Sequence, residues 1–372
     1  MKLIIAALVV YLIYTIQSKL YRKYWNRELN ISLSFSGDIA RVGDKLFLYE
    51  VIENAKSIPL PILNIKFVTS KTLAFSDEEK AAISDNYYRN DYFSLLGNER
   101  LKRKLSFTTT KRGFFSIDEL RITSKDLFLT KTFADIMPNK TRLTVLPERL
   151  STRPFALIRD QLLGNYPVSR LTPPDPFTFR GIRNYQPYDT FKSINWKASA
   201  KMDALMVNEY QATSANEVSI YLNLRPYMKS HKEQLAEHSI RIASTIAAEL
   251  MEHEVDVSFH TNAYDIEAYE EDTSLPTLSF GHGSEHLQNL DIILARLDIK
   301  RKTADMMRLL DDQINDCNTT RSHILISTYR DDALFEFYRT HKETERIYWI
   351  IPELPSAEIK LHDDGIIRWD ME

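Results

Sequence analysis

The stretch FRGIRNYQPYDTFKSINWKASAK, from Phe179 to Lys201, gathers Arg183, Tyr185, Asp189, Asn195, Trp196, Lys197 and Ser199. Cations set around one aspartate suit ion pairing. The set holds no activated nucleophile and no paired acid and base, which catalysis would require. Two readings stay open. In one the segment is a structural clasp, with Arg183 or Lys197 paired to Asp189 and Trp196 packed between layers, its N–H satisfied. In the other it is a contact surface for a partner or ligand.

A second cluster is HGSEH, His282 to His286. It fits a zinc-peptidase spacing in which two histidines share a helix face and a glutamate, here Glu285, acts as general base. Gly283 and Ser284 are poor inside a helix and common at its start. Ser284 is therefore expected to cap the following helix, leaving His282 outside it and the zinc geometry broken. Asp331 and Asp332 are carboxylates after an apolar run, where helix capping is the ordinary use. Cys317, the single cysteine, has no local base and is read as incidental. His231, His238 and His253 carry no carboxylate at ligand spacing and are expected at the surface.

These groups need elements to hold them. From Leu29 to about Pro147 short alternating runs such as LNISLSF and KLFLYEVIEN predict an antiparallel β-sandwich. The stretch SDEEKAAISDNYYRNDYF reads as a helix or long loop inside it. Residues 150–212 form a connecting region, proline-rich at SRLTPPDPF, with a short helix at TFKSINWKASAKM and a strand at DALMVNEYQA. From 213 to 372 strands and helices alternate, which predicts a mostly parallel, doubly wound α/β sheet. Ligands of such sheets lie at the carboxyl ends of the strands. After EVSIYLNL no glycine-rich phosphate loop follows.

The N-terminus is apolar without a charge from Leu3 to Ile16, about 21 Å as a helix against a hydrocarbon core of roughly 30 Å. Extended over residues 1–25, it predicts a membrane anchor, with Tyr21, Tyr24 and Trp25 at the interface and Lys19 snorkelling. A cleaved leader and a buried soluble helix are the rival readings. Lys19, Arg22, Lys23 and Arg27 follow the run and only Lys2 precedes it, which places the large C-terminal part in the cytoplasm. The single cysteine agrees with a reducing compartment. A formal net charge of −3 gives no basic footprint for nucleic acid.

The segment Phe179–Lys201 resembles the signature of the domain of unknown function 58 family. Phe179, Ile182, Arg183, Tyr185, Asp189, Ile194, Trp196, Lys197, Ser199 and Ala200 match it. Tyr188 replaces the usual glycine, and Lys192 and Lys201 replace arginines. The anchor, a strand-rich domain with KRGFF and SKDLF, and the α/β part extend the likeness over nearly the whole chain.

The resemblance implies a multidomain fold: transmembrane helix, β-sandwich at 29–149, the signature segment, and a von Willebrand factor type A-like α/β domain. Such domains often hold Mg²⁺ through Asp-x-Ser-x-Ser after their first strand. Here that stretch is Asn223 to Tyr227, with Arg225 and Tyr227 at the serine positions and Thr328 at the later acidic one. No metal and no cofactor are therefore expected. The family implies a partner, a MoxR-type AAA+ ATPase. The expectation is a membrane-anchored, non-enzymatic interaction or adaptor protein acting with it on envelope proteins. The alternatives are a zinc-dependent hydrolase using His282, Glu285 and His286, and an extracytoplasmic adhesin.

Overall fold

The computed structural model describes residues 2–76, 81–84, 86–150, 179–184, 196–202, 204–210, 217–227, 230–269, 271–314, 321–342, 346–353 and 366–370. The chain forms two compact units. One comprises Met1–Glu148 with Asp265–Glu267 and Asp291–Leu297; the other comprises the remainder from Arg149.

The first unit begins with helix α1, Lys2–Tyr24, about 34 Å long at the usual rise. It is long and apolar enough to cross a membrane. Its two halves differ. Residues 2–13 are exposed throughout, whereas Tyr14, Gln17, Ser18, Tyr21 and Tyr24 form a partly or fully buried stripe at helical spacing. Tyr21 and Trp25, expected at a membrane interface, instead join the core of the β-domain. Both stack on Phe133. The Tyr21 hydroxyl donates to the carbonyl of Pro59. Their rings are amphipathic, so sequence alone does not separate a headgroup environment from a polar-edged core.

The β-domain is two sheets. Strands β1 (Leu29–Phe35), β3 (Lys45–Asn54), β8 (Glu99–Thr109) and β5 (Leu73–Phe75) form one, in that order. The other runs β2 (Ile39–Arg41), β10 (Thr132–Leu146), β9 (Gly113–Lys125), β4 (Leu60–Thr69), β7 (Tyr87–Leu95) and β6 (Ala81–Ile83). Strand β1 alternates buried and exposed without a break, the pattern of a strand with one face on a core. Leu48, Ile52 and Phe107 from one sheet and Leu63, Ile65, Ile122 and Leu143 from the other share a single cluster. The pairings are antiparallel except for β2, which runs parallel to β10.

The stretch read as a helix or loop is instead β6 and β7 in its described part. Its inward positions mix charged with apolar side chains: Tyr87, Arg89, Asp91 and Leu95 are buried. Arg89 Nε sits 2.6 Å from Asp91, and Arg103 on β8 reaches Asp91 at 2.5 Å and Glu50 on β3 at 3.2 Å. Arg103 therefore ties the two sheets together through paired charges, the condition under which buried ions are tolerated.

In the second unit a hairpin pairs β11 (Phe179–Asn184) with β12 (Met206–Tyr210), and between them lies α2, Trp196–Met202. A six-stranded sheet follows. Its strands are β13 (Glu217–Asn223), β14 (Asp256–Thr261), β15 (Thr277–Leu278), β16 (Ser322–Ser327), β17 (Ile347–Glu353) and β18 (Ile366–Asp370), in the order β15-β14-β13-β16-β17-β18. All neighbours are parallel except β15, antiparallel at one edge. The helices are α3 (Lys232–Glu252), α4 (Ser284–Arg296, of which Asp291 onward groups with the first unit), α5 (Met306–Ile314) and α6 (Asp332–His341). Strand β16 is buried at every position, as expected for a parallel strand covered on both faces. Tyr221, Leu325 and Trp349 pack with residues of α5 and α6, while α3 packs on β13, β14, β16 and β17.

Candidate interaction surface

The carboxyl edge of this sheet is where a doubly wound fold places its ligand, at the point where strand order reverses on either side of β13. Here three strand ends are joined by side-chain amides. Asn223 at the end of β13 donates to Ser327 Oγ of β16 at 2.9 Å and accepts from Asn262 Nδ2, just past β14, at 2.7 Å. Asn223 also accepts from the Arg225 N–H at 3.0 Å, and Asn262 accepts from the Leu224 N–H at 2.9 Å. Asn262 further donates to the Ala304 carbonyl, and Ser327 to the Tyr329 carbonyl. Asn223, Asn262 and Ser327 are all buried. A satisfied neutral network of this kind fixes three loops at once.

The cavity beside it, lined by Asn223, Leu224, Ser239 and Thr328, is about 10 Å³, room for no more than one water. What faces outward is cationic and aromatic. The Arg225 guanidinium lies 4.1 Å from the Tyr329 ring centre, and Arg330 lies 4.4 Å from that of Tyr227. Arg225 and Tyr227 are exposed. Such pairs of arginine and tyrosine suit recognition of a protein surface. Asp331 caps α6, its carboxylate accepting from the Leu334 N–H at 2.9 Å, as its position in the sequence indicated.

Three histidines were misplaced or missed by sequence reading. His238, expected at the surface, is buried, its Nε2 3.3 Å from the Trp369 carbonyl. His260 and His323 stack on either side of Tyr221. Burial, with Arg321 and His260 adding to it, pushes His323 down to about 4, so it is neutral at physiological pH. The signal that was available is their position within strands, His260 in β14 and His323 in β16.

The HGSEH group divides. His282 lies before α4 and its Nδ1 is 2.6 Å from Asp256, a hydrogen bond that raises the imidazole's pKa. His286 Nε2 is 2.8 Å from the Val257 carbonyl. Its Nδ1 faces Gly281, where a Cβ would come within 2.7 Å. Both ring nitrogens of His286 are thus occupied or covered, and the pair does not present a shared face to a metal. Glu285 is exposed in the first turn of α4.

Of the signature residues, Tyr185, Asp189 and Asn195 lie outside the described residues, as does Cys317. Arg183 is on β11, paired with Val207. Ser199 on α2 accepts from the Met206 N–H at 2.9 Å, fixing the helix to the start of β12. Trp196 is not packed between layers: it is 65% exposed, as are Met202 at 68% and Leu205 at 45%.

No family model matches the chain, and no curated protein matches it. Similar solved structures cover about a third of it. A CARDB domain from Pyrococcus furiosus covers 32% of this chain and 93% of its own length at 15% identity, with a TM-score of 0.21. A non-cellulosomal cohesin from Archaeoglobus fulgidus covers 35% of this chain and 97% of its own, with 12% identity and a TM-score of 0.22. A type I cohesin from Pseudobacteroides cellulosolvens covers 33% and 94%, with 11% identity and a TM-score of 0.20. These likenesses bear on neither activity nor partner.

Proposed function

We propose that the chain is a membrane-anchored, non-enzymatic interaction protein, an adaptor for a MoxR-type AAA+ ATPase in the assembly or maturation of envelope proteins. Its two folded units lie on the cytoplasmic side, and its α/β unit is of the von Willebrand factor type A kind. One observation carries the anchored reading. Helix α1 is apolar and exposed over its first half and built into the β-domain core over its second. Cleavage of a leader before Trp25 would strip Tyr21 from that core. A buried soluble helix would not leave Leu3, Leu8 and Leu12 in water.

The α/β assignment is supported by the sheet order, which corresponds to 3-2-1-4-5-6 counted from β13. The binding role is supported by a carboxyl edge closed by Asn223 and Asn262 and faced by Arg225, Tyr227, Tyr329 and Arg330. The departures from Asp-x-Ser-x-Ser make contact through side chains, rather than through a shared Mg²⁺, the mode of engagement. Crosslinking in native membranes followed by pull-down through a tag at Glu372 tests the reading. Recovery of an AAA+ ATPase is expected; its consistent absence, or a topology reporter at Glu372 that is active only outside the cell, overturns it.

A further inference from the structure

We infer that the turn between β9 and β10 is a second membrane contact, whose side chains Leu127, Phe128 and Leu129 enter the boundary of the same leaflet that α1 leaves. This rests on α1 spanning a bilayer, as proposed above. The three residues are consecutive, large and apolar, and are 47%, 54% and 49% exposed. Single exposed apolar side chains are ordinary, but three in a row at a turn tip are not.

Their place in the fold names the occupant. Phe128 is a ring neighbour of Tyr14 on α1, at 6.3 Å between centres. The hydroxyl of Thr130 is 3.4 Å from that of Tyr14, and Lys131 Nζ is 5.8 Å from its ring centre. Gln17 donates to Asp126 at 2.9 Å. Tyr14 lies inside the uncharged run that ends at Ile16. A bilayer that solvates that run therefore reaches the tip of the turn. No partner protein is needed to cover this patch.

The turn is built for a low-dielectric boundary. Asp126 is buried, and its carboxylate accepts from the N–H groups of Thr130 and Lys131 at 2.6 and 3.1 Å and from the Thr130 hydroxyl at 2.8 Å. Its carbonyl accepts from the Leu129 N–H at 2.9 Å, and its own N–H donates to the Lys131 carbonyl. Backbone that approaches hydrocarbon must be satisfied in this way. Leu129 holds φ of 61°, a left-handed conformation usually given to glycine or asparagine. Leucine there keeps an apolar side chain at the tip, where water alone would favour a small or polar residue. Lys125 and Lys131 flank the turn, placed as are the basic residues that meet anionic headgroups.

The contact also answers a shortfall in length. The uncharged run spans about 21 Å against a core of roughly 30 Å, a mismatch met by local thinning of the bilayer. An apolar turn beside the helix covers acyl surface where the leaflet thins.

The test uses the full chain in liposomes of phosphatidylcholine and phosphatidylglycerol, in a Cys317→Ser background. A single environment-sensitive fluorophore is placed through Phe128→Cys, Leu8→Cys or Arg142→Cys, the last about 30 Å along β10 from the turn. Quenching is read with nitroxide-bearing lipid and with aqueous iodide. The Leu8 and Phe128 labels are expected to be quenched by lipid and spared by iodide, and the Arg142 label the reverse. A Phe128 label open to iodide, or shielded from both quenchers as under a second protein, overturns the inference while a lipid-quenched Leu8 leaves the anchor standing. A Leu8 label quenched by iodide overturns both.

Discussion

Asn262 donates its side-chain amide to the side-chain oxygen of Asn223 across 2.7 Å, joining the ends of two neighbouring parallel strands. Because the same Asn262 oxygen accepts from the Leu224 N–H, its loss orphans several buried groups at once. Each such group costs about 1–3 kcal/mol. Asn262→Ala is expected to lower the stability of the α/β unit by about 3 kcal/mol, read as a lower urea midpoint with an unchanged slope.

The outward face of that edge behaves differently. Arg225 is exposed, so Arg225→Glu should change stability by no more than about 0.5 kcal/mol. On the proposed role it reverses the charge that meets the partner. Crosslinked ATPase recovered with the variant should fall severalfold while the thermal midpoint stays put; unchanged recovery removes Arg225 from the surface.

Trp25→Ala removes an indole from the β-domain core and should cost about 3–5 kcal/mol. Leu8→Ala, on the exposed half of the same helix, should leave the unfolding of the β-domain in detergent untouched. Equal effects of the two would contradict the division of α1 into a packed and an exposed half.

The two units should respond to pH in opposite senses. Burial raises Glu50 to about 7, with Arg103 opposing and Asp91 adding to the shift; an unfolded glutamate releases its proton near about 4.3. Between those values the folded β-domain binds more protons than the unfolded chain, so its stability falls as pH rises. His323 is pushed down to about 4, against about 6.5 when unfolded. Between those values the unfolded chain binds more protons, so the α/β unit gains stability as pH rises. Differential scanning calorimetry from pH 4.5 to 7 should show the two transitions moving in opposite directions, with Glu50→Gln flattening one and His323→Phe the other.

The regular parts of both units were readable in the sequence for a physical reason. Strand β1 alternates and strand β16 centres on the apolar run Ile324–Ile326, and each pattern has few other uses. Strand β7 was hidden because its inward positions include the charged pair Arg89 and Asp91, and the further partner of Asp91, Arg103, lies on another strand. A period of two that alternates polar with polar has no hydropathy signal. His238 and Trp196 misled in opposite directions: one polar ring is buried, and one large apolar ring is exposed. The amide network was legible only as a departure, asparagine where a metal-binding pattern has aspartate; that it ties Asn223 to Asn262 and Ser327 depends on the strand order.

Helix α1 passes into the sandwich without a linker: Trp25 is in the core and β1 begins at Leu29. A domain on a flexible leash samples a shell of heights and orientations above its membrane. With α1 in a bilayer, this β-domain has one height and one tilt. Its encounters reduce to a search in two dimensions, and any pull on the domain is felt directly by the lipid around the helix.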